Sequence, residues 1–218
     1  MPSKYYLRQF HENSFYHIYN RGAYKQIIFK DDRDYQAFIE ILAYYLTHPT
    51  GKPLSLTSRY SLKVRNLDKA IVPTYQLIAY CLMPNHFHLL LKQNALPTPD
   101  NSIASLLKRL SITYAMYFKN KYEHSGALFE GKYKNVTTKS AEHLLHLTRY
   151  IHLNPDHTDH QTYPYSSYQY YSSPGASPDW LHAHTVLDYF SSTNPSLTYQ
   201  SFCREHITHA TITPLLID

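Results

Sequence analysis

The stretch TYQLIAYCLMPNHFHLLLK, residues 74–92, predicts a β-hairpin, and this hairpin decides the fold. Two apolar and aromatic runs flank a Pro-Asn turn, which is the pattern of two antiparallel strands. Residues two apart on a strand point to the same face of a sheet. His86 and His88 therefore share one face of the second strand, and Phe87 points to the other.

The two histidines leave three interpretations open. They form a hydrogen-bonded structural pair, they mark an exposed strand edge, or they bind one divalent cation. The chain contains 15 histidines, so chance pairs at this spacing are common. Spacing alone therefore makes metal binding a minority interpretation.

Helical and extended patterns alternate on both sides of the hairpin. Aromatic and β-branched clusters predict strands, and apolar residues at three- and four-residue spacing behind an Asp, Asn or Ser cap predict helices. The predicted elements are a strand at 15–22, a helix at 31–48, a long loop at 49–73, strands at 74–83 and 86–92, a helix at 102–122, a strand at 126–138 interrupted at Gly131, a helix at 140–155 and a further helix around 179–191. The order β-α-β-β-α-β predicts an α+β fold of the ferredoxin-like, split βαβ type, with an antiparallel sheet, helices on one side and one additional helix.

Composition narrows the class of protein. The 218 residues include 43% hydrophobic residues, enough for a packed core, and 23 tyrosines. The net charge of +5 permits a polyanionic partner without requiring one. Cys81 and Cys203 are the two cysteines of the chain, which excludes a disulfide framework and a four-cysteine zinc site.

The sequence also predicts a cytoplasmic setting. The first residues, MPSKYYLRQFHENSF, contain no apolar core of the kind that signal peptides have. No apolar run approaches the roughly 18 residues that a membrane-spanning helix needs. We therefore expect no membrane partner.

The predicted helix at residues 140–155 carries two stripes. Leu144, Leu147 and Ile151 form an apolar stripe. His143, Tyr150 and Asn154 fall together on the adjacent stripe. Tyr150 and Asn154 form either a simple hydrogen-bonded pair at the edge of the core, or a nucleophile beside a third metal ligand.

Six segments together resemble the single-tyrosine transposases of the HUH family, in particular their REP-associated branch. They occur in the family's order, cover roughly residues 10–170, and read YNRG (19–22), MPNHFHLLL (83–91), LLKRLSITYAMYFKNKY (106–122), GALFEGKYK (126–134), RYIHLNP (149–155) and YPYSSY (163–168). The resemblance implies a catalytic domain at residues 1–170. The resemblance does not extend to residues 171–218, which are predicted to form a C-terminal extension of one helix and irregular segments.

The resemblance also implies a mechanism and a site. His86 and His88 match the family's metal-binding pair, Tyr150 matches its nucleophile, and Asn154 stands where relatives place a third ligand that is often Gln. The implied cofactor is Mg²⁺ or Mn²⁺. The implied activity is cleavage and transfer of single-stranded or hairpin DNA through a covalent 5′-phosphotyrosine, by a monomer or a homodimer.

Basic residues near the motifs are candidate DNA contacts. Arg21 ends the first strand, and Lys132 and Lys134 lie in the predicted strand at 126–138. Lys108 and Arg109 lie on the predicted helix at 102–122. Cations of this kind neutralise phosphates, and the tyrosine-rich composition suits unstacked bases. Each of them is also explained by an ordinary solvated surface.

Two other functions stay open. His143 and His146 could join His86 and His88 around a zinc ion that activates water, which would make the protein a metallohydrolase without a covalent intermediate. Alternatively, a sheet of this topology with exposed aromatic residues could bind nucleic acid without catalysis. The covalent adduct and the metal requirement distinguish these functions from a transposase.

Overall fold

The structure, a computed structural model, describes residues 9–49, 55–56, 62–63, 72–155, 161–173, 175, 177–193 and 197–204. The strands are β1 (Ser14–Arg21), β2 (Ser55–Leu56), β3 (Leu62–Lys63), β4 (Tyr75–Met83), β5 (His86–Gln93) and β6 (Lys134–Thr137). The helices are α1 (Asp32–Thr47), α2 (Ile103–Tyr122), α3 (Ala141–Leu153), α4 (Tyr168–Ser172), α5 (His184–Thr193) and α6 (Tyr199–Arg204), with a short 3₁₀ turn at Ala23–Lys25.

The main sheet has the strand order β4-β5-β1-β6, with all neighbours antiparallel. The first strand of the chain thus lies between the second strand of the hairpin and the last strand. This order confirms the predicted ferredoxin-like topology. A separate two-stranded ladder of β2 and β3 lies in the segment predicted as a long loop, most of which is outside the described residues.

Helices α1 and α2 cover one face of the sheet. Both begin at predicted caps: the carboxylate of Asp31 accepts from the backbone N–H of Asp34, and Ser102 caps α2 in the same way. The sheet residues that face these helices are completely or almost completely buried and include Tyr16, Ile18, Phe87, Leu89 and Leu91. Burial of this many large side chains supplies most of the force that holds this layer together.

The opposite face of the sheet is covered as well. Leu144, Leu147 and Ile151 of α3 pack against Cys81 and Leu90 of the sheet. Helix α3 is therefore the additional helix, and it lies on the face that α1 and α2 leave open. The described part of the C-terminal extension contributes to the same hydrophobic cluster, through Val186, Phe190, Tyr199 and Phe202.

The C-terminal region also protects an edge of the sheet. The outer edge of β4 exchanges backbone hydrogen bonds with residues 165–167 and with His182, and the Leu82 N–H donates to the Tyr165 carbonyl at 2.9 Å. An unpaired edge strand is a site for aggregation, and a covering segment removes it. None of the described helices combines the length and apolar character needed to cross a membrane.

Two predicted elements differ from the structure. The strand expected at 126–138 is regular only over Lys134–Thr137. Gly126 and Gly131 have φ angles of 89° and 77°, which an extended strand does not tolerate, so the segment before β6 follows β1 as an irregular loop. The helix expected around 179–191 begins at His184 and ends at Thr193.

Candidate active site

Four aromatic side chains share the sheet face that is turned toward α3. His86 and His88 project from β5, with ring centroids 5.0 Å apart, and His17 and Tyr19 project from the neighbouring strand β1. Tyr19 is directly opposite His88 in the ladder, and their ring centroids lie 5.9 Å apart. On each strand the two residues are two positions apart, so their side chains point to the same face of the sheet.

The hydrogen bonds of Asn85 indicate which nitrogen of His86 carries the proton. The Asn85 Nδ2 donates to the Lys25 carbonyl at 3.4 Å, which leaves its Oδ1 to accept from His86 Nδ1 at 2.7 Å. A neutral His86 that donates through Nδ1 has its lone pair on Nε2. That nitrogen faces the Oδ1 atom of Asn154, 3.2 Å away.

With this tautomer, the Nε2 lone pair of His86 and the Oδ1 of Asn154 would both bind a cation placed between them. Ligands at about 2.1 Å from one octahedral ion lie about 3 Å apart when they are neighbours in the coordination shell. The observed 3.2 Å matches that spacing. The side chains of His86 and Asn154 therefore fit a shared divalent cation, although Asn is one methylene shorter than Gln.

His88 is held by His17. The Nε2 of His17 lies 2.8 Å from the Nδ1 of His88, and both rings are almost completely buried. Burial, together with the nearby His17 and His86, lowers the pKa of His88 well below its usual value. Burial and the nearby His143 lower the pKa of His17 to about 3. Both rings are therefore neutral, which is the form that binds metal.

The hydrogen bond between the two rings specifies which atom of His88 can act as a ligand. If His88 binds a cation through Nε2, its Nδ1–H must donate to His17 Nε2, because a neutral imidazole has one N–H. The remaining proton of His17 is then on Nδ1, a buried atom with no hydrogen-bond partner among the described residues. A ring N–H that donates to a neighbour is the usual way in which a protein orients a histidine ligand.

Tyr150 and Asn154 reach the cluster from α3. The Tyr150 ring is half-buried and meets His88 edge-on, with centroids 5.7 Å apart, and His17 at 6.0 Å. Asn154 is the C-terminal cap residue of the helix, one turn further along. The structure thus brings together the four residues predicted for the site: His86, His88, Tyr150 and Asn154. Their roles stay predictions.

The histidines of the alternative zinc site are engaged elsewhere. His146 accepts a hydrogen bond from Arg149 through Nδ1 at 2.8 Å, and its Nε2 lies 3.8 Å from Glu142. His143 accepts from the Lys139 backbone N–H at 3.2 Å. Within the described ranges, no group of three or more His, Cys, Asp or Glu side chains is arranged to hold a metal ion. The candidate set is two imidazoles and an amide.

The predicted DNA contacts divide between the two layers. Arg21 forms an exposed ion pair with Glu130, and the Lys134 ammonium lies 5.5 Å from the ring centroid of Tyr19, on the histidine side. Lys132 is exposed in the loop before β6. Lys108 and Arg109 lie on α2, in the layer on the other side of the sheet from the histidines.

Arg109 also has structural contacts. Its guanidinium is 4.7 Å from the ring centroid of Tyr45 and donates to the Tyr75 hydroxyl at 3.4 Å and to the His48 carbonyl at 3.3 Å. These contacts tie α2 to α1 and β4. The role of Lys108 and Arg109 in DNA binding stays a prediction, with no link to the histidine cluster.

Sequence reasoning missed two residues of the cluster, His17 and Asn85. The pattern FYHIYN puts His17 and Tyr19 on the same face of the first strand, but nothing local indicates that this strand pairs with residues 86–93. Asn85 occupies a turn position, where Asn is common for conformational reasons. The signals available from sequence were therefore the alternation of β1 and the predicted ferredoxin-like strand order, which places β1 beside β5.

Comparison with known proteins assigns part of the chain to a family. Residues 56–154 match the model described as transposase, IS200 like. Among curated proteins, none matches this chain. The structure of a REP-associated tyrosine transposase bound to a REP hairpin is similar over 83% of this chain and 92% of that one, with a TM-score of 0.53 and 14% identity.

A second structure, of a provisionally named transposase from Deinococcus radiodurans R1, covers 63% of this chain and 88% of its own, with a TM-score of 0.39 and 19% identity. At these identities the likeness concerns the fold alone, and only the first structure is similar enough to support it. Residues 56–154 are therefore similar to IS200-like transposases, and the chain has an α+β fold similar to that of a REP-associated tyrosine transposase.

Proposed function

We propose that this protein cleaves and transfers single-stranded DNA through a covalent bond to Tyr150, with a divalent metal bound by His86, His88 and Asn154. The observation that carries the proposal is the approach of His86 Nε2 and Asn154 Oδ1 to 3.2 Å, beside His88 and one helical turn along α3 from Tyr150. The family match supports DNA transposition as the process. The proposed catalytic domain spans residues 1–170.

The metal is Mg²⁺ or Mn²⁺, which would polarise the scissile phosphate and stabilise the charge that develops on it. His86 and His88 supply neutral imidazole nitrogens, and Asn154 supplies a carbonyl oxygen. Imidazole is an uncommon ligand for Mg²⁺, which prefers oxygen, and suits Co²⁺ and Zn²⁺ as well. Asn85 and His17 act as positioning residues, because each holds one ring in the orientation and protonation state that ligation requires.

Tyr150 performs the covalent step. Its Oη forms a bond to the phosphorus of the scissile phosphodiester, the bond from phosphorus to the 3′-oxygen breaks, and the phenolic proton passes to water. The products are a 5′-phosphotyrosine and a free 3′-hydroxyl. Because the number of phosphoester bonds is unchanged, a different 3′-hydroxyl can reverse the step and join new ends without ATP.

The proposed partner is single-stranded DNA beside a hairpin. The similar REP-associated transposase was solved bound to a REP hairpin. In this chain, Arg21, Lys132 and Lys134 lie on the strand and loop next to the histidine cluster and would contact phosphates. Binding that depends on phosphate neutralisation weakens steeply with salt. We expect the protein to act in the cytoplasm, as a monomer or a homodimer.

The test is a search for the covalent adduct. The full chain is incubated with Mn²⁺ and a labelled hairpin oligonucleotide whose single-stranded flanks are randomised, so that an unknown target sequence does not limit the result. Denaturing electrophoresis should show labelled protein with the parent chain and none with Tyr150→Phe. Tyr189→Phe is the matched control, because Tyr189 is also half-buried but lies on α5.

Other outcomes identify the alternatives. Cleavage without any adduct, or an adduct that persists in Tyr150→Phe, would contradict the proposed mechanism and favour a metal-activated water. Binding without cleavage in the presence of Mn²⁺ would favour a non-catalytic nucleic-acid-binding module.

A further inference from the structure

Tyr24 has a strained backbone conformation, and its exposed side chain buries no surface that would offset the strain. It lies in the 3₁₀ turn between β1 and α1, and its side chain is fully exposed. Tyr24 and Lys25 have φ angles of 54° and 60°, two consecutive non-glycine residues in the left-handed region. That region disfavours residues with a Cβ, and strained positions without a structural reward cluster at functional sites.

The turn is fastened from both sides, so the exposed ring is presented in a defined place. The backbone N–H of Lys25 donates to the Gly22 carbonyl at 3.0 Å. The side chain of Gln26 donates to the Leu128 carbonyl at 2.9 Å. A Cβ on Gly22 would collide with the Gln26 carbonyl oxygen, so the turn closes tightly only with glycine there.

Asn85 connects this turn to the candidate metal site. Its Nδ2 donates to the carbonyl of Lys25, and its Oδ1 accepts from His86. The turn that carries Tyr24 is therefore joined through the Asn85 side chain to His86, a proposed metal ligand.

The charges around the turn favour an anionic partner. A hydrogen bond from Arg21 lowers the pKa of the Glu130 carboxyl, and the charges of Lys134 and Lys25 lower it further, so all three cations lie within electrostatic reach of this carboxylate. Three positive charges against one negative charge leave a net positive rim. Aromatic rings in a positively charged groove are the usual platform for unpaired bases.

We propose that Tyr24 is a stacking platform for an unpaired base of the DNA strand that enters the site, with Lys25 contacting the adjoining phosphate. The proposal rests on the proposed function, because it requires single-stranded DNA at the histidine cluster. The proposed binding site lies on a turn outside the proposed catalytic and metal-binding residues. It would explain why the turn keeps a strained backbone.

The test compares Tyr24→Gly, Tyr24→Trp and the parent in binding two labelled DNAs by fluorescence anisotropy. One is a hairpin with randomised single-stranded flanks, and the other is the same stem without flanks. Tyr24→Gly should bind the flanked hairpin about 5- to 150-fold more weakly, the range for losing one base–aromatic stack. Binding to the bare stem should be unchanged, and Tyr24→Trp should stay within about threefold of the parent, because Trp provides a larger stacking surface.

Stability is the second readout. Glycine adopts a positive φ without strain, so Tyr24→Gly should melt at a temperature equal to or above that of the parent. Ile27→Ala is the matched control, because Ile27 is an exposed apolar residue three positions away, at 52% exposure, and it should change neither binding nor melting.

Three results would overturn the proposal. They are unchanged binding of the flanked hairpin by Tyr24→Gly, a lower melting temperature in that variant, and a change in oligomeric state in place of DNA affinity, which would identify a protein contact. The adduct assay with Tyr150 keeps the two proposals distinguishable. If the parent forms the adduct and Tyr24→Gly binds normally, the platform is wrong and the proposed function stands.

Discussion

Two polar clusters lie on opposite sides of one sheet, and they differ in how their charges are balanced. In the α1–α2 layer, the buried carboxylate of Asp34 accepts from Lys121 at 2.7 Å, from Tyr117 at 3.0 Å, from Tyr122 at 2.8 Å and from the Lys30 backbone at 2.7 Å. Every contact pairs a donor with an acceptor, and the Lys121 ammonium supplies a positive charge directly against the Asp34 carboxylate. The cluster is complete, and its effect is to join two helices.

The histidine cluster on the α3 side lacks that balance. The buried rings of His17 and His88 are neutral, and the Nδ1 of His17 is buried without a hydrogen-bond partner among the described residues. Buried polar groups in a purely structural role are normally satisfied. Burial of polar groups does not by itself indicate a functional site, whereas a buried polar atom without a hydrogen-bond partner does.

The largest expected effect concerns the balanced cluster. Asp34→Ala leaves the Lys121 ammonium, with a side chain only 16% exposed, without its buried partner. Removal of one partner of a buried ion pair costs about 3–5 kcal/mol of unfolding free energy. Urea denaturation measures this loss. A change below about 1 kcal/mol would contradict the structural role of the cluster.

An alanine substitution in the histidine cluster should lower DNA cleavage and leave the unfolding free energy nearly unchanged. His86→Ala should lower Mn²⁺-dependent DNA cleavage by at least about 100-fold through loss of a ligand, while DNA binding changes little. His86 is half-buried, so we expect the unfolding free energy to fall by about 1 kcal/mol or less. Single-turnover cleavage, anisotropy and urea titration measure the three quantities. Cleavage at the parental rate would refute the ligand assignment.

A smaller effect is expected at the positioning residue. His17→Ala should weaken Mn²⁺ binding by about 10- to 100-fold, because a group that only orients a ligand contributes less than the ligand itself. His17→Gln retains a side-chain acceptor for His88 Nδ1–H and should recover part of the affinity. Mn²⁺ titration followed by electron paramagnetic resonance measures binding independently of DNA. Equal affinities in all three proteins would remove His17 from the site.

The smallest effect concerns the exposed edge of the balanced cluster. Burial is the largest single influence on the pKa of Asp31 and raises it. The hydrogen bonds from Lys121, the Asp34 backbone and Tyr122, together with the charge of Lys121, outweigh burial, so the net pKa is lowered. A lowered folded-state pKa contributes stability above the unfolded value of 3.8, and this contribution is lost as the pH falls through the folded value. Asp31→Asn keeps the helix cap and removes the charge.

We expect Asp31→Asn to lower the unfolding free energy at pH 7 by less than about 1 kcal/mol, as for other exposed ion pairs. The difference from the parent should shrink as the pH falls below 4 and should also shrink in 1 M salt. Urea titrations at several pH values measure it. A difference that persists unchanged at low pH would show that the effect is not electrostatic.

Particular residues show what could be predicted from the sequence. The hairpin at 74–92, the caps Asp31 and Ser140, and the shared face of His86 and His88 depend on neighbours within a few positions, and all are confirmed. The sequence left the cap of α2 open between Asn101 and Ser102, and the structure has Ser102. The strand expected over 126–138 was too long, since the backbone angles of Gly126 and Gly131 cannot be read from residue types alone.

The sequence by itself determined the elements, their faces and the residues that each face carries, because these follow from periods of two and 3.6 residues. The predicted ferredoxin-like order already implied that β1 lies beside β5, but only the folded chain shows the register of that pairing and the position of α3 across the open face of the sheet. These contacts join residues far apart in the chain: His17 and His88 are 71 positions apart, and His86 and Asn154 are 68 positions apart. They depend on how the whole chain buries its apolar surface, which no local pattern records, and they convert two histidines on a strand into a candidate metal site.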